Sequence, residues 1–539
     1  MSNIKINKRL ILSAILSASL STGFLAGYNP AEAAYRAPSI DYLQTKDDGT
    51  VLGDYYVPST LDNVFWGKIP SRNDKAIIHI PSGSTLTIDT VSHEGILEDQ
   101  GKDPVKYFGQ YGITPEHVMQ DAINIAANKK GHDFDTNGPH VITGPIYVDG
   151  AEPGDVLKVE VIALEPRVPY GVVTNRHFKG TIPNEMPETP RLENPSSEHP
   201  ESYGNVSVFT SIQKKGDNNE WFGIMQNNGQ IIQFPLNPFL GTMGVTPNTD
   251  ENGSSIPPLK TGGNIDINEL GVGATLYLPV DIPGAGFYTG DPHFAQGDGE
   301  VSLTALEAPL RATVRLTVLK KGSSAIPQTN SDSLVQPFAE TEKYWIPIGL
   351  NEDLDEAMRQ SVRESISFIS KQLGVDRKTA YAYLSAATDY EVSQVVDKTK
   401  GIHGLIPKVD FKDNLSFKLT INNIECPIKI INNVLYVPID SVSSALKASL
   451  ITNKDTTTLK FKDNTFSTKI NSKDNTFSTK INSNVYEMNG ISTCTNSAPT
   501  LSSEGTIFIP VSTLSEIMGL PVNWSTTGHT IIGISNYLN

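Results

Sequence analysis

Residues 152–164 read Glu-Pro-Gly-Asp-Val-Leu-Lys-Val-Glu-Val-Ile-Ala-Leu (EPGDVLKVEVIAL), a tight turn that runs straight into a strand. Pro153 and Gly154 are turn-forming residues, and Val156–Leu164 is rich in the β-branched residues that suit a pleated surface. The same punctuation recurs on both sides. Ala76–Ile80, Ser84–Val91, Gln230–Phe234, Ala274–Val280 and Ala312–Leu319 are short β-like runs separated by Gly, Pro, Asn and Asp, the pattern of a sandwich or barrel. Apolar residues recur at helical spacing in Pro115–Lys129, Leu354–Leu373 and Arg377–Ala387. In the second of these Met358, Val362, Ile366, Ile369 and Leu373 form one stripe, and Gly374 is placed to stop the helix. The expected fold is mainly β with an α+β element.

A chain of 539 residues is longer than the usual domain of roughly 100–200, so two or three domains are expected. Its 59 acidic and 43 basic residues leave a formal net charge of −16; such a balance repels phosphate backbones and argues against nucleic acid as a partner. At the N-terminus Lys5, Lys8 and Arg9 precede the apolar run Leu10–Ala26, and Ala31-Glu32-Ala33 follows. That is the order of a secretory signal peptide, with cleavage after Ala33. The product is expected to be secreted or wall-associated, with no later membrane span. Cys426 and Cys494 are too few for a disulfide framework or a four-thiolate zinc site, although export permits a bridge between them.

Composition changes near Pro407. Nine of the ten His lie between His79 and His403, and only His529 lies beyond; residues 409–539 carry ten basic and ten acidic side chains, so the acidity belongs to the body. The expected division is a signal peptide at 1–33, a body at 34–408 and a small α+β domain at 409–539. Within the tail, Asn433–Pro438 with Ser441–Leu446 resembles Gly505–Pro510 with Ser512–Met518, each reading as strand, Pro and short helix. Lys462–Ser472 (KDNTFSTKINS) is repeated unchanged as Lys473–Ser483. Eleven is odd, so a second copy in a strand cannot keep both register and facing, and a looped-out copy is expected.

The most concentrated polar stretch is Gly290–Glu300 (GDPHFAQGDGE), with Asp291, His293, Gln296, Asp298 and Glu300. On an extended chain, side chains two apart point the same way at about 6.6 Å. Asp291 with His293, and Asp298 with Glu300, are thereby candidates to converge on one ion or one scissile group. The competing reading is a solvated turn. In Thr85–Glu94 (TLTIDTVSHE), Asp89 and His93 fall on one face about 13 Å apart, and share an ion only if the chain bends near Ser92–Gly95. His140 and His177 are single candidates for which a structural role leads. Ser92 has no nucleophile elbow around it, and Gly262-Gly263-Asn264 lacks the Lys and helix of a phosphate loop.

Read in order, Thr90–Gly95 (TVSHEG), Gly138–Asp155 (GPHVITGPIYVDGAEPGD), Pro238–Val245 (PFLGTMGV), Gly262–Asp266 (GGNID), Tyr277–Val280 (YLPV), Gly290–Glu300 and Gly401–Lys408 (GIHGLIPK) resemble the acetamidase/formamidase family over about residues 40–408. The resemblance implies β-sandwich or jelly-roll and barrel-like lobes, a divalent metal with zinc the first choice and calcium the second, no organic cofactor, and hydrolysis of short linear amides to carboxylate and ammonia. The expected metal ligands are His293 and Asp291, then Asp89, His93 and His140. Glu300 is the expected general base with Asp298 beside it, and Asn264, Gln296 and His177 are the expected substrate contacts. The tail resembles the copper amine oxidase-like N-terminal domain through Val434–Pro438, Ile507–Pro510 and Gly519–Trp524, here without a copper cluster. That implies a spacer or a wall contact; a homodimer is compatible with the same reading. The rival from another class is a non-enzymatic surface binding protein in which the His/Asp cluster holds a structural ion.

Overall fold

The computed structural model describes residues 42–516 apart from 216–219, 330–332, 412–418, 422–423, 432–433, 454–455, 463–473, 496 and 503–504. The expected signal peptide, the first copy of the duplicated eleven residues beyond Lys462, and the Gly519–Trp524 block lie outside the described residues. The chain divides into two compact units between Pro407 and Lys408.

The first unit is mainly β and is built on two large sheets. The nine-stranded sheet runs Tyr55–Val57, Ser84–Asp89, Leu310–Leu319, Val156–Pro166, Thr275–Pro279, Phe338–Glu340, Tyr344–Asn351, Lys400–Pro407 and Asp389–Gln394. The strand predicted from EPGDVLKVEVIAL sits near its middle. Leu157, Val159 and Val161 are buried, while Lys158 and Glu160 lie on the opposite face and pair at 2.9 Å. The turn before it is held by Asp155, which accepts from the Glu152 and Lys321 amides at 2.9 Å. The eleven-stranded sheet has Phe287–Ala295 at its centre, with Phe239–Val245 on one side and both Val141–Val148 and Leu306–Glu307 on the other. Leu86, Ile88, Leu157 and Val314 of the first sheet share one core with Ile146, Met243, Phe287 and Phe294 of the second. Each such side chain taken fully out of water contributes about 1.5–3 kcal/mol.

Two helices, Leu354–Gln372 and Arg377–Ala387, form the α+β element, and Gly374 ends the first with φ of 70°. Its buried face departs from the expected stripe: of that stripe Ile369 is buried, Val362, Ile366 and Leu373 are half-buried and Met358 is exposed, while Ala357, Ser361, Ser365 and Phe368 join the buried face. Small residues win because the helix lies directly on strand Tyr344–Asn351, and the Ser361 hydroxyl donates to the Pro347 carbonyl at 3.0 Å.

In the second unit the two similar segments are partners. Val434–Pro438 pairs antiparallel with Ile507–Pro510, Val437 facing Ile509, and each runs directly into a helix, Ile439–Leu446 or Val511–Glu516. Asp474–Lys480 of the second eleven-residue copy is a strand paired with Thr456–Lys462. Cys426 is buried, Cys494 is exposed, and both thiols are free.

Gly349 marks the closest helix–strand approach, since a Cβ there would lie 2.0 Å from the Ala357 carbonyl oxygen and 2.6 Å from the Ser361 nitrogen. Backbone atoms of a helix cannot yield as a side-chain tip can. Gly349→Ala is expected to destabilise the first unit by about 1–3 kcal/mol, read from urea unfolding; an unchanged midpoint would contradict this packing.

Candidate active site and metal centre

The centre of the site is a change of partner along one edge of a strand. Phe287–Gly290 pairs with Val141–Val148, the register ends at Gly290 opposite Ile142, and pairing resumes at His293 opposite Glu307 on a different neighbour. Between them Asp291 adopts φ of 51°, a conformation few non-glycine residues take. Facing it across the sheet is Gly241, where a Cβ would lie 2.5 Å from Asp266 Oδ1, 2.7 Å from His293 Cε1 and 2.9 Å from Asp291 Oδ2. Only a residue without a side chain lets these three groups meet. His140 sits just before strand Val141–Val148, and His93 lies in the loop after strand Ser84–Asp89. Both therefore reach the gap where the strand changes partner.

The result is a buried ionisable cluster. His293 Nε2 lies 3.2 Å from Asp291 Oδ2 and 3.1 Å from Glu307 Oε1; His93 Nδ1 lies 3.7 Å from Asp291 Oδ1 and His140 Nε2 3.8 Å from Asp291 Oδ2. Both nitrogens of His93 and of His293, Asp291 Oδ1, both Asp266 oxygens and Glu307 Oε2 are buried with no hydrogen-bond partner among the described residues. An unsatisfied buried polar group costs about 1–3 kcal/mol, so so many together demand a ligand. Donor atoms arranged tetrahedrally at about 2.0–2.1 Å from one ion stand about 3.4 Å apart, and the four separations here run from 3.1 to 3.8 Å. His93, His140 and Asp291 form one candidate ligand set, and Asp266, Asp291 and His293 another.

Charge is consistent with that chemistry. Burial alone would lower the His93 pKa, but Glu307, Asp291 and Glu94 push it up to about 10, and His293 is likewise raised by Glu307 and Asp291. His140 is lowered to about 4 by burial and by the two neighbouring imidazoles. Burial would raise Asp291, yet the three His hold it well below the usual carboxylate range. Glu300 is pushed far up by burial and by Asp266 and Asp397, and Asp397 is raised to about 7 by burial and by Asp291. His93 and His293 driven toward the cationic form, beside Glu300 and Asp397 driven toward the neutral form, describe a pocket with a deficit of positive charge.

A cavity of about 370 Å³ opens onto this cluster, with His93, His140, Asp291, Glu300, Glu307 and Asp397 at its polar end. Of the expected residues, His93, His140, Asp291 and His293 meet, and Glu300 and Asn264 line the cavity. Asn264 donates to Asp397 Oδ2 at 2.9 Å and accepts from the Thr242 hydroxyl at 2.6 Å. His177 is at the rim, its Nε2 2.7 Å from the Thr189 carbonyl.

Three expectations are corrected. Asp89 is not with the ligands: it stands opposite Arg311 in the neighbouring strand and binds its guanidinium at 2.7 and 3.0 Å, with the Tyr56 hydroxyl at 2.6 Å. Asp298 parts from Glu300, because the strand ends at Ala295 and left-handed turns at Gly299 and Glu300 cancel the alternation; its carboxylate instead accepts from Asn268 at 3.1 Å. Gln296 does not line this cavity and donates to the Asp266 and Ser393 carbonyls at 3.0 and 3.1 Å. Glu307, Asp266 and Asp397 were missed. Asp266 stands inside the GGNID block, and the other two have no local signature.

His93 is steadied by Glu94, whose Oε1 lies 3.3 Å from its Nε2. Glu94 also accepts from Gln100, Thr174 and, at 3.0 Å, Arg176, which binds Asp99 at 2.8 Å. Burial would raise Glu94, but Arg176 and His93 hold it far below the ordinary range. Arg176→Met removes the cation shared by two buried carboxylates, so a loss of about 3–5 kcal/mol is expected at neutral pH. A carboxylate with a depressed folded-state pKa stabilises above its unfolded value of about 4.3 and loses that contribution on acidification. The gap between wild type and variant should therefore narrow below that pH; a gap independent of pH in urea titrations would refute the assignment.

Comparison with known proteins gives the family. A family model described as the Acetamidase/Formamidase family matches residues 120–252 and 249–411, and one described as the Copper amine oxidase N-terminal domain matches residues 420–532. A Schizosaccharomyces pombe (strain 972 / ATCC 24843) protein that carries the name of a formamidase is 29% identical over 219 residues, 34% of this chain and 53% of that protein. The acetamidase of Mycolicibacterium smegmatis is 27% identical over 208 residues, 32% of this chain and 51% of that protein. The chain thus spans about half the length of these two curated relatives. The crystal structure of acetamidase from Yersinia enterocolitica shares the fold, with a TM-score of 0.51 and 21% identity over 70% of this chain and 98% of that one. The chain belongs to the acetamidase/formamidase family, with a copper amine oxidase N-terminal-type domain after it.

Proposed function

We propose that this protein is an exported, metal-dependent amidase that hydrolyses the C–N bond of short linear amides to carboxylate and ammonia. The observation that carries the reading is the set of buried, unpartnered nitrogen and oxygen atoms of His93, His293 and Asp291 at the polar end of a cavity that also holds Glu300. Family membership supports the reaction class. The leader-like residues 1–33 support export, and the His-poor, charge-neutral tail supports a spacer or wall-contact role.

His93, His140, His293 and Asp291 would hold the ion, zinc fitting a mixed imidazole and carboxylate set. When bound, a divalent cation supplies Lewis acidity, polarising a carbonyl and acidifying water. The chain's own residues do the rest. Glu300, buried against Asp266 and Asp397, takes the proton of the attacking water and returns it to the amide nitrogen, so that the C–N bond breaks with ammonia leaving. Burial, with Asp266 and Asp397 beside it, raises the proton affinity of Glu300, Asp397 being fixed by Asn264, and the positive charge of a bound cation would return Glu300 to the carboxylate that accepts a proton. Leu97, Phe134, Tyr203 and Ile256 line the same cavity and give a short alkyl group an apolar wall.

The test is ammonia release from formamide, acetamide and propionamide, with and without chelator. Release abolished by chelator and restored by zinc is expected; no release from any of the three by metal-loaded protein would sink the reading. Glu300→Gln should retain the bound metal while turnover falls about 10²- to 10⁴-fold, and unchanged turnover would remove Glu300 from the mechanism. A chain truncated after Lys408 should keep its kcat on the best of these amides. A large loss with the fold intact, judged by circular dichroism, would give the tail a part in the site.

A further inference from the structure

Three carboxylates that meet at the cavity wall, Glu300 and Asp397 lining it and Asp266 behind them, arrive on three segments. Each segment also carries a polar group to a second meeting place. Glu269 follows Asp266 by three residues, and Asp298 precedes Glu300 by two. Glu391 and His403 stand opposite each other in the hairpin Asp389–Gln394 and Lys400–Pro407, whose connection contains Asp397.

His403 is fully buried, and its Nδ1 shares a 2.8 Å hydrogen bond with Ser393 Oγ. Its Nε2 faces Glu269 Oε2 at 3.0 Å and Glu391 Oε2 at 3.5 Å, yet neither Nε2 nor Glu269 Oε2 has a hydrogen-bond partner among the described residues. An imidazolium–carboxylate pair stabilised by its hydrogen bond aims the N–H along the line to the oxygen. Here the distances are short and the direction is wrong, as when donors turn toward a shared point between them. Glu269, Glu391 and His403 each bring one donor atom within 4.8 Å of the others. Asp298 borders the group, its pKa raised to about 6 by burial and by Glu391. The Glu391 side chain is 31% exposed, so a cation can enter from solvent, and none of the three donors lines the catalytic cavity.

We infer that Glu269, Glu391 and His403, with Asp298 beside them, form a second divalent-cation site of the zinc-binding class, which staples together the three segments that deliver the cavity carboxylates. One imidazole with carboxylates is a borderline donor set that suits zinc. The Ser393 bond to Nδ1 is the kind of outer contact that fixes the ring of a metal-ligating His. The segments already touch: the Ser393 carbonyl accepts from Gln296 Nε2 at 3.1 Å and from the Gly299 amide at 3.2 Å. An ion at this place would add a strong tie across the same junction, next to the turn that positions Glu300. The site itself does not depend on the amidase reading; only its link to the carboxylates of the cavity does.

The full-length protein, stripped with chelator, reloaded with zinc alone and desalted, supplies the test. Glu391→Gln is expected to hold one zinc ion per chain fewer than wild type and to lose part of the zinc-induced rise in Tm. That difference is one whether the cavity cluster binds an ion or not, so failure of the amidase reading leaves it readable. Equal zinc content in wild type and Glu391→Gln, or no zinc held by wild type, overturns the proposal, and His403 is then a plain ion-pair partner. Should Glu391→Gln lose its native circular dichroism, Glu269→Gln, read by the same two measurements, decides in its place.

Discussion

The central ionisable cluster of the first unit is organised by one constraint, the change of partner that strand Phe287–Ala295 makes at Asp291. A continuous ladder would have sealed the sheet with apolar side chains, as the pairing of Phe287 with Val245 does. Because pairing stops at Gly290 and resumes at His293, a gap opens inside the eleven-stranded sheet, and the ends of two neighbouring strands deliver His140 and Glu307 to it. The missing side chain at Gly241 makes room for Asp266 and His293 on the other side. A left-handed aspartate is costly in isolation. Here it is held by ladder pairs before and after it, so the ordinary strands on either side stabilise the irregular residue between them.

Such a gap places many charges in a low-dielectric interior, and the protein handles them in two ways. Where a group has a fixed structural task, a guanidinium is packed against it: Arg311 and Arg167 around Asp89, Arg167 on Asp121, and Arg176 between Glu94 and Asp99. Each of these carboxylates accepts a hydrogen bond from a guanidinium. Where the carboxylates and imidazoles have no such cation, their nitrogens and oxygens stay unpartnered and their proton affinities move away from the ordinary values. The contrast between the two classes separates scaffold from reactive groups more sharply than residue type does, since Asp89 and Asp291 are chemically identical.

The second unit follows a simpler logic. Its two strand–Pro–helix segments pair with each other, so a similarity visible along the chain becomes an antiparallel contact in space. Pro at the end of each strand cannot donate to a continuing ladder, and the helix that follows covers the core formed by Val437, Ile439, Val442, Ile509 and Leu514.

Local pattern alone was enough for the turn and strand at Glu152–Pro166, the two helices ended by Gly374 and Ala387, the change of character near Pro407 and the pairing of Asp291 with His293. These depend on period, punctuation and composition, all written within a few residues. The ordered blocks carried the family. What the linear chain left open was decided by contacts between distant segments: Asp89 turned to Arg311 because their strands are in register, and Asp298 left Glu300 because the backbone between them is left-handed. Over Gly349 the helix buries Ala357 and Ser361 in place of Met358 and Val362, because the strand beneath it comes too close there for larger side chains. Glu307 and Asp397 joined the cluster from positions with no local signature. Alternation predicts the face of a residue only while the backbone stays extended, and no local pattern states which strand will lie beside it. Sequence by itself therefore determined the elements and the inventory of reactive groups, whereas the tertiary structure decided which of them meet, because convergence depends on register and on the few bent residues where regular geometry stops.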